Sequence, residues 1–99
     1  MTAFIMADVS PNDPEAYRTS GYLEAAAKTS ALYGGVYRAR GGATTVLEGE
    51  WEPDRMVLIE FPSMENLLAW YHSPDYQEWA AVRRLHVPHS RVVALEGAD

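Results

Sequence analysis

Between Glu48 and Tyr76 the chain reads EGEWEPDRMVLIEFPSMENLLAWYHSPDY, and few folds accommodate that order of signals. Val57 to Phe61 is a short apolar run rich in β-branched and aromatic residues, with Pro53-Asp54 before it and Pro62-Ser63 after it. Those bounds favour a fully buried strand over a helix. Ser63 and Ser73 are each placed to cap a helix, and Pro74 follows Ser73 at the first helical position, where its missing N–H costs nothing. The segment therefore predicts a strand crossing into two capped helices, with Trp51, Phe61, Trp70, Tyr71 and Tyr76 gathered around the crossing.

The remaining elements follow from the same signals. Ala3 to Val9 is apolar on both alternating faces, as expected of a strand covered front and back. Asp13 and Pro14 start a helix that the 3.6-residue spacing of Ala16, Ser20, Leu23, Ala27 and Ala31 carries to about Leu32, where Gly34-Gly35 ends it. Val36 to Glu50 reads as strand interrupted at Gly41-Gly42, either as a hairpin or, as we favour, as one edge strand kinked by a glycine bulge. Met56 to Phe61 is the next strand, Ser63 to about Arg84 is helical with a break near His72-Ser73, and Arg91 to Leu95 closes the chain. Two right-handed crossovers joined by a central hairpin predict a single α+β domain over residues 1–99. Its expected form is a ferredoxin-like split βαβ antiparallel sheet, strands one and three central, with helices on one face.

That arrangement carries an expectation about assembly. Two helical layers' worth of chain cover one face of four strands, yet the strands are apolar on both faces. A bare face would exceed the apolar patch that a soluble monomer usually shows. A second copy packed sheet to sheet, giving a homodimeric α/β barrel, would cover it. Other partners are disfavoured by composition. A net charge of -6 with Lys28 as the sole lysine argues against nucleic acid. The absence of a long apolar run or a signal-like N-terminus predicts a soluble, cytoplasmic chain without membrane association. With no cysteine, thiolate chemistry and cysteine-ligated metals are excluded.

Several residues are candidates for function, each with a plainer role beside it. Arg40, next to the glycine pair, would orient a carboxylate or enolate oxygen with its planar fork, or else pair with Glu48 or Asp54. Arg38, read as lying on the same face, shares that role. Glu60 and His72 would move a proton, Glu60 if its carboxyl is desolvated and His72 because imidazole titrates near neutrality; Glu60 would otherwise reach solvent or an arginine. Trp70, Tyr71 and Tyr76, joined by Tyr17 and Glu48, would line a ligand pocket between helices and sheet, or serve only as packing. His72, His86 and His89 are too dispersed for a metal site, and no phosphate-binding or nucleotide fingerprint is present, so neither metal nor cofactor is expected.

GGVYRARGG (Gly34 to Gly42), VLEGEW (Val46 to Trp51), PDR (Pro53 to Arg55), IEFPSME (Ile59 to Glu65) and WYHSPDYQ (Trp70 to Gln77) together resemble the bacterial family called domain of unknown function 1330. That family is similar to the dimeric α/β-barrel superfamily, which includes cofactor-independent monooxygenases of aromatic compounds, haem-degrading enzymes and dimers with no known reaction. The resemblance implies the dimeric ferredoxin-like fold. For function it implies a cofactor-free oxygenase or isomerase of a small aromatic or enolisable compound, or a non-catalytic binding or accessory module. The haem-degrading pattern of a first-strand Asn, a Trp and a following His is broken here. Asp8 stands in the first strand, and the helix after Trp70 offers Ala80.

Overall fold

The computed structural model describes all 99 residues, Met1 to Asp99. The elements are β1 (Ala3–Asp8), α1 (Pro14–Thr19), α2 (Tyr22–Ala31), β2 (Val36–Arg40), β3 (Met56–Phe61), α3 (Met64–Tyr71), α4 (Pro74–His86) and β4 (Arg91–Glu96). The four strands form one antiparallel sheet in the order β2-β3-β1-β4, with β1 and β3 central as the pattern predicts. No helix is long and apolar enough to cross a membrane.

The core lies between the sheet and the helices. Ala3, Ile5 and Ala7 of β1 and Ile59 and Phe61 of β3 are buried, and they pack with Tyr17, Tyr22, Ala26, Leu67, Trp70, Tyr76, Ala80 and Val87. The other face of the sheet stays uncovered in the single chain: Met6 is 37% exposed, Val93 58% and Leu95 51%. The strands are apolar on both faces, but only one of those faces is buried within the chain.

Capping chemistry sets the helix starts. The Asp13 carboxylate accepts from the Ala16 N–H at 3.2 Å. Ser63 and Ser73 accept from the N–H groups of Asn66 at 3.1 Å and Tyr76 at 3.2 Å. Ser73 also donates to the Trp70 carbonyl at 2.7 Å, so one buried hydroxyl closes α3 and opens α4.

Two expectations are corrected. The first helix is two helices, because Ser20-Gly21 interrupts it with Gly21 at φ 89°, a conformation that glycine adopts without strain. Trp79 packs so closely there that a Cβ on Gly21 would lie 3.2 Å from its ring. The break resets the helical phase, and the buried row becomes Tyr22, Ala26 and Ser30 instead of Leu23, Ala27 and Ala31. The long edge strand is also shorter than expected. β2 ends at Arg40, residues 41–55 form a loop, and neither a hairpin nor a bulge occurs at Gly41-Gly42. The register shift lies earlier, between Tyr37 and Ala39. Its consequence is a change of parity: Tyr37 and Arg40, three apart, come to one face, and Arg38 is separated from Arg40.

Candidate functional site

A small apolar cavity of about 40 Å³ opens between the helices and the sheet. Its sheet side is made by Ile5, Ala7, Val57, Ile59 and Val92, and its helix side by Tyr22, Leu23, Trp70, Tyr71 and Tyr76. Packing fixes the aromatic wall. The Trp70 and Tyr76 rings are 4.1 Å apart between centroids, Tyr71 lies 5.7 Å from Tyr76, and Phe61 backs Trp70 at 5.4 Å. The indole N–H of Trp70 donates to Thr29 Oγ1 at 3.0 Å, and the phenols of Tyr22 and Tyr76 share a hydrogen bond of 2.7 Å.

Two arginines complete the lining. Arg55 stands immediately before β3 and shares the inward face of Val57 and Ile59. Its backbone is held by the Val9 N–H donating to the Arg55 carbonyl at 3.0 Å, and by the Arg55 N–H donating to Ser10 Oγ at 3.2 Å. Its guanidinium lies against Gly41, whose φ is 73° and where a Cβ would collide with Arg55 Nη1. Gly41→Ala should therefore displace Arg55 and cost about 1–3 kcal/mol, read as a lower denaturation midpoint in urea. Arg83 projects from α4, where it falls on the same buried row as Tyr76, Ala80 and Val87. A wider cleft of about 290 Å³, lined by Tyr17, Arg18, Asp54 and Gly41 among others, adjoins the cavity, and Leu23 and Arg55 belong to both.

The buried phenols hold their protons firmly. Burial pushes Tyr17 up to about 12, against the opposing pull of Arg55 and Arg83. Burial also raises Tyr22, reinforced by the Tyr76 phenol, and raises Tyr37 in spite of Arg40 and Arg55. For Arg83, burial works against the charge, but the phenols of Tyr76 and Tyr22 more than offset it, so its pKa rises and it stays cationic. The tyrosine shifts have a consequence for stability. The unfolded chain releases the Tyr17 proton near 10.0, whereas the folded chain keeps it to about 12, so stability present below pH 10 declines as pH rises through that interval. Denaturant midpoints measured across it should fall steadily, less so in Tyr17→Phe.

The sequence candidates divide by location. Trp70, Tyr71 and Tyr76 line the cavity and Tyr17 lines the adjoining cleft. The other five lie outside it. Arg40 is exposed, stacked over Tyr37 at 4.7 Å and donating to the Leu23 carbonyl at 3.3 Å, because the register shift turns it onto the rim. Arg38 pairs with Glu60 at 3.3 Å, and Glu60 shares the outer sheet face with Met56 and Leu58. Glu48 is exposed in the loop, and His72 is exposed at the end of α3, edge-on to Tyr71 at 5.3 Å. Arg55, Arg83, Tyr22 and Tyr37 line the cavity without having been singled out from the sequence.

The sequence matches the family described as Domain of unknown function (DUF1330) over residues 2–98. The chain belongs to that family. Similar solved structures share the fold of this DUF1330 protein at low identity. A protein of unknown function from Rhodopseudomonas palustris is 19% identical with a TM-score of 0.77, over 99% of this chain and 83% of that one. A dimeric ferredoxin-like protein of unknown function from Thermobifida fusca is 17% identical, TM-score 0.64, over 98% and 92%. A protein described as an antibiotic biosynthesis monooxygenase is 19% identical, TM-score 0.58, over the whole of both chains. No functionally curated protein is significantly similar in sequence.

Proposed function

We propose that this DUF1330 protein is a homodimer in which each subunit binds one small aromatic or enolisable compound between helices and sheet and stabilises its enolate. The observation that carries the reading is the cavity wall, where the paired hydroxyls of Tyr22 and Tyr76 stand among Trp70, Tyr71 and Tyr37 on an apolar floor. Burial strengthens the hold of Tyr22 on its proton, so it acts as a hydrogen-bond donor and not as a base, and a donor in an apolar cavity stabilises a developing oxyanion. Enolate stabilisation serves both cofactor-independent oxygenation and isomerisation, and the similar structure described as a monooxygenase supports the first. The uncovered apolar sheet face supports the dimer, as do similar structures described as dimeric.

One observation favours a second reading, a binding module without chemistry: no carboxylate or imidazole lines the cavity to take a proton. Both readings require that a small ligand enter. Titration with phenol, its hydroxyl directed into the cavity and its ring in the adjoining cleft, should in amide NMR move the amides of Tyr17, Tyr22, Leu23 and Tyr76. Shifts confined to the surface would remove the pocket from both. Solvent exchange at the α-carbon of an enolisable probe such as acetylacetone, faster than in buffer, would separate enzyme from module.

A further inference from the structure

The cavity holds two guanidinium groups that no carboxylate of the chain faces. Arg83 is 3% exposed; its Nη1 donates to Ser90 Oγ at 2.7 Å, while its Nε is buried without an acceptor. Arg55 enters from the sheet side, and its Nε is likewise buried without an acceptor. The ion pairs in the molecule are Arg18–Glu15 and Arg38–Glu60, and no Asp or Glu lines the cavity. Acids outnumber lysine and arginine, 14 to 8, so the want of a partner is a matter of placement and not of supply. Arg83, cut off from water, is strongly disfavoured as a cation unless an anion faces it, and Arg55, half-buried at the mouth, adds a second fork beside it.

We propose that Arg55 and Arg83 form an anion subsite that takes the carboxylate of a small organic acid, which names the ligand class of the pocket proposed above and rests on that reading. A guanidinium fork offers parallel N–H donors to a planar carboxylate, and two forks on one cavity surround it. The size agrees. A dry cavity that admits benzene is about 150 Å³, so the inner space of about 40 Å³ suits a carboxylate head and not a ring. The body of the acid lies in the adjoining cleft of about 290 Å³, reached past Leu23 and Arg55, the residues common to both spaces. Tyr17, which borders that cleft and senses both arginines, flanks the entry.

Calorimetric titration of the intact protein with benzoate, benzamide and inorganic phosphate tests this. Benzoate should bind roughly ten- to a hundredfold more tightly than its neutral amide, the range expected for charge-assisted hydrogen bonds, and more tightly than phosphate. Arg55→Gln and Arg83→Met should each erase the preference for benzoate. Equal binding of benzoate and benzamide overturns the anion subsite and leaves the pocket standing; binding of neither overturns both; tighter binding of phosphate overturns the carboxylate assignment. A thermal melt of unliganded Arg83→Met supplies an independent readout. An unchanged or higher melting temperature fits a cation kept for a ligand, whereas a sharp fall would show that Arg83 holds the fold together and overturn the proposal.

Discussion

Trp70→Ala should destabilise the protein by about 3–5 kcal/mol, the usual cost of deleting a large aromatic from a packed interior. Trp70 is 2% exposed and touches three other aromatic rings, with Phe61 behind it, Tyr76 beside it and Tyr71 edge-on at 6.4 Å. Removing it also strips Thr29 Oγ1 of the indole donor. Domains of this size are stable by roughly 5–15 kcal/mol, so the variant should melt on the order of 20 °C lower. Trp70→Phe keeps most of the apolar contact and loses the N–H, so its loss should be about 1 kcal/mol. Denaturant titrations of the pair would decide the point. A cost for the alanine variant near that of the phenylalanine variant would mean that the aromatic wall is loosely filled.

The second large effect concerns assembly. Val93→Lys places a charge in the middle of the uncovered face, beside Met6, its partner across the strands. In the single chain Val93 is 58% exposed, so the lysine reaches water and the fold is kept. In a sheet-to-sheet dimer each substitution occurs twice, and each buried ammonium costs several kcal/mol. The dissociation constant should rise by about a thousandfold or more. Sedimentation at micromolar concentration should then report a monomer with an unchanged circular dichroism spectrum. A variant that still sediments as the parent does would place the interface elsewhere.

Much of the architecture was legible from the chain because its punctuation is local. Asp13-Pro14, Ser63 and Ser73-Pro74 each satisfy helix N–H groups within three residues, and such signals need no knowledge of the tertiary fold. The break at Gly21 was legible too, since Ser-Gly is itself a turn signal, but the run of alanines after it outweighed the signal. The misplacement of Arg40 has a different cause. A register shift is a relation between two strands, and nothing in VYRAR alone states that Arg38 occupies an extra position. Arg55 and Arg83 could have been found from the sequence. Arg83 falls on the apolar row of its helix with Tyr76, Ala80 and Val87, and Arg55 shares the parity of Val57, Ile59 and Phe61. A cation on a buried stripe is the sign that mattered. Attention to arginines beside glycine drew it to the rim instead.

The irregularity at Arg38 also bears on how copies of this chain meet. β2 is the margin of the sheet, and a straight margin presents a row of free amides and carbonyls to which another strand can be zipped. Here that row is only five residues long and steps out of register in its middle, with the exposed arginines Arg38 at the step and Arg40 just beyond it. Edge-on growth into ribbons is thereby discouraged along β2, which leaves the broad greasy surface as the place where the proposed pairing of two copies would close and stop.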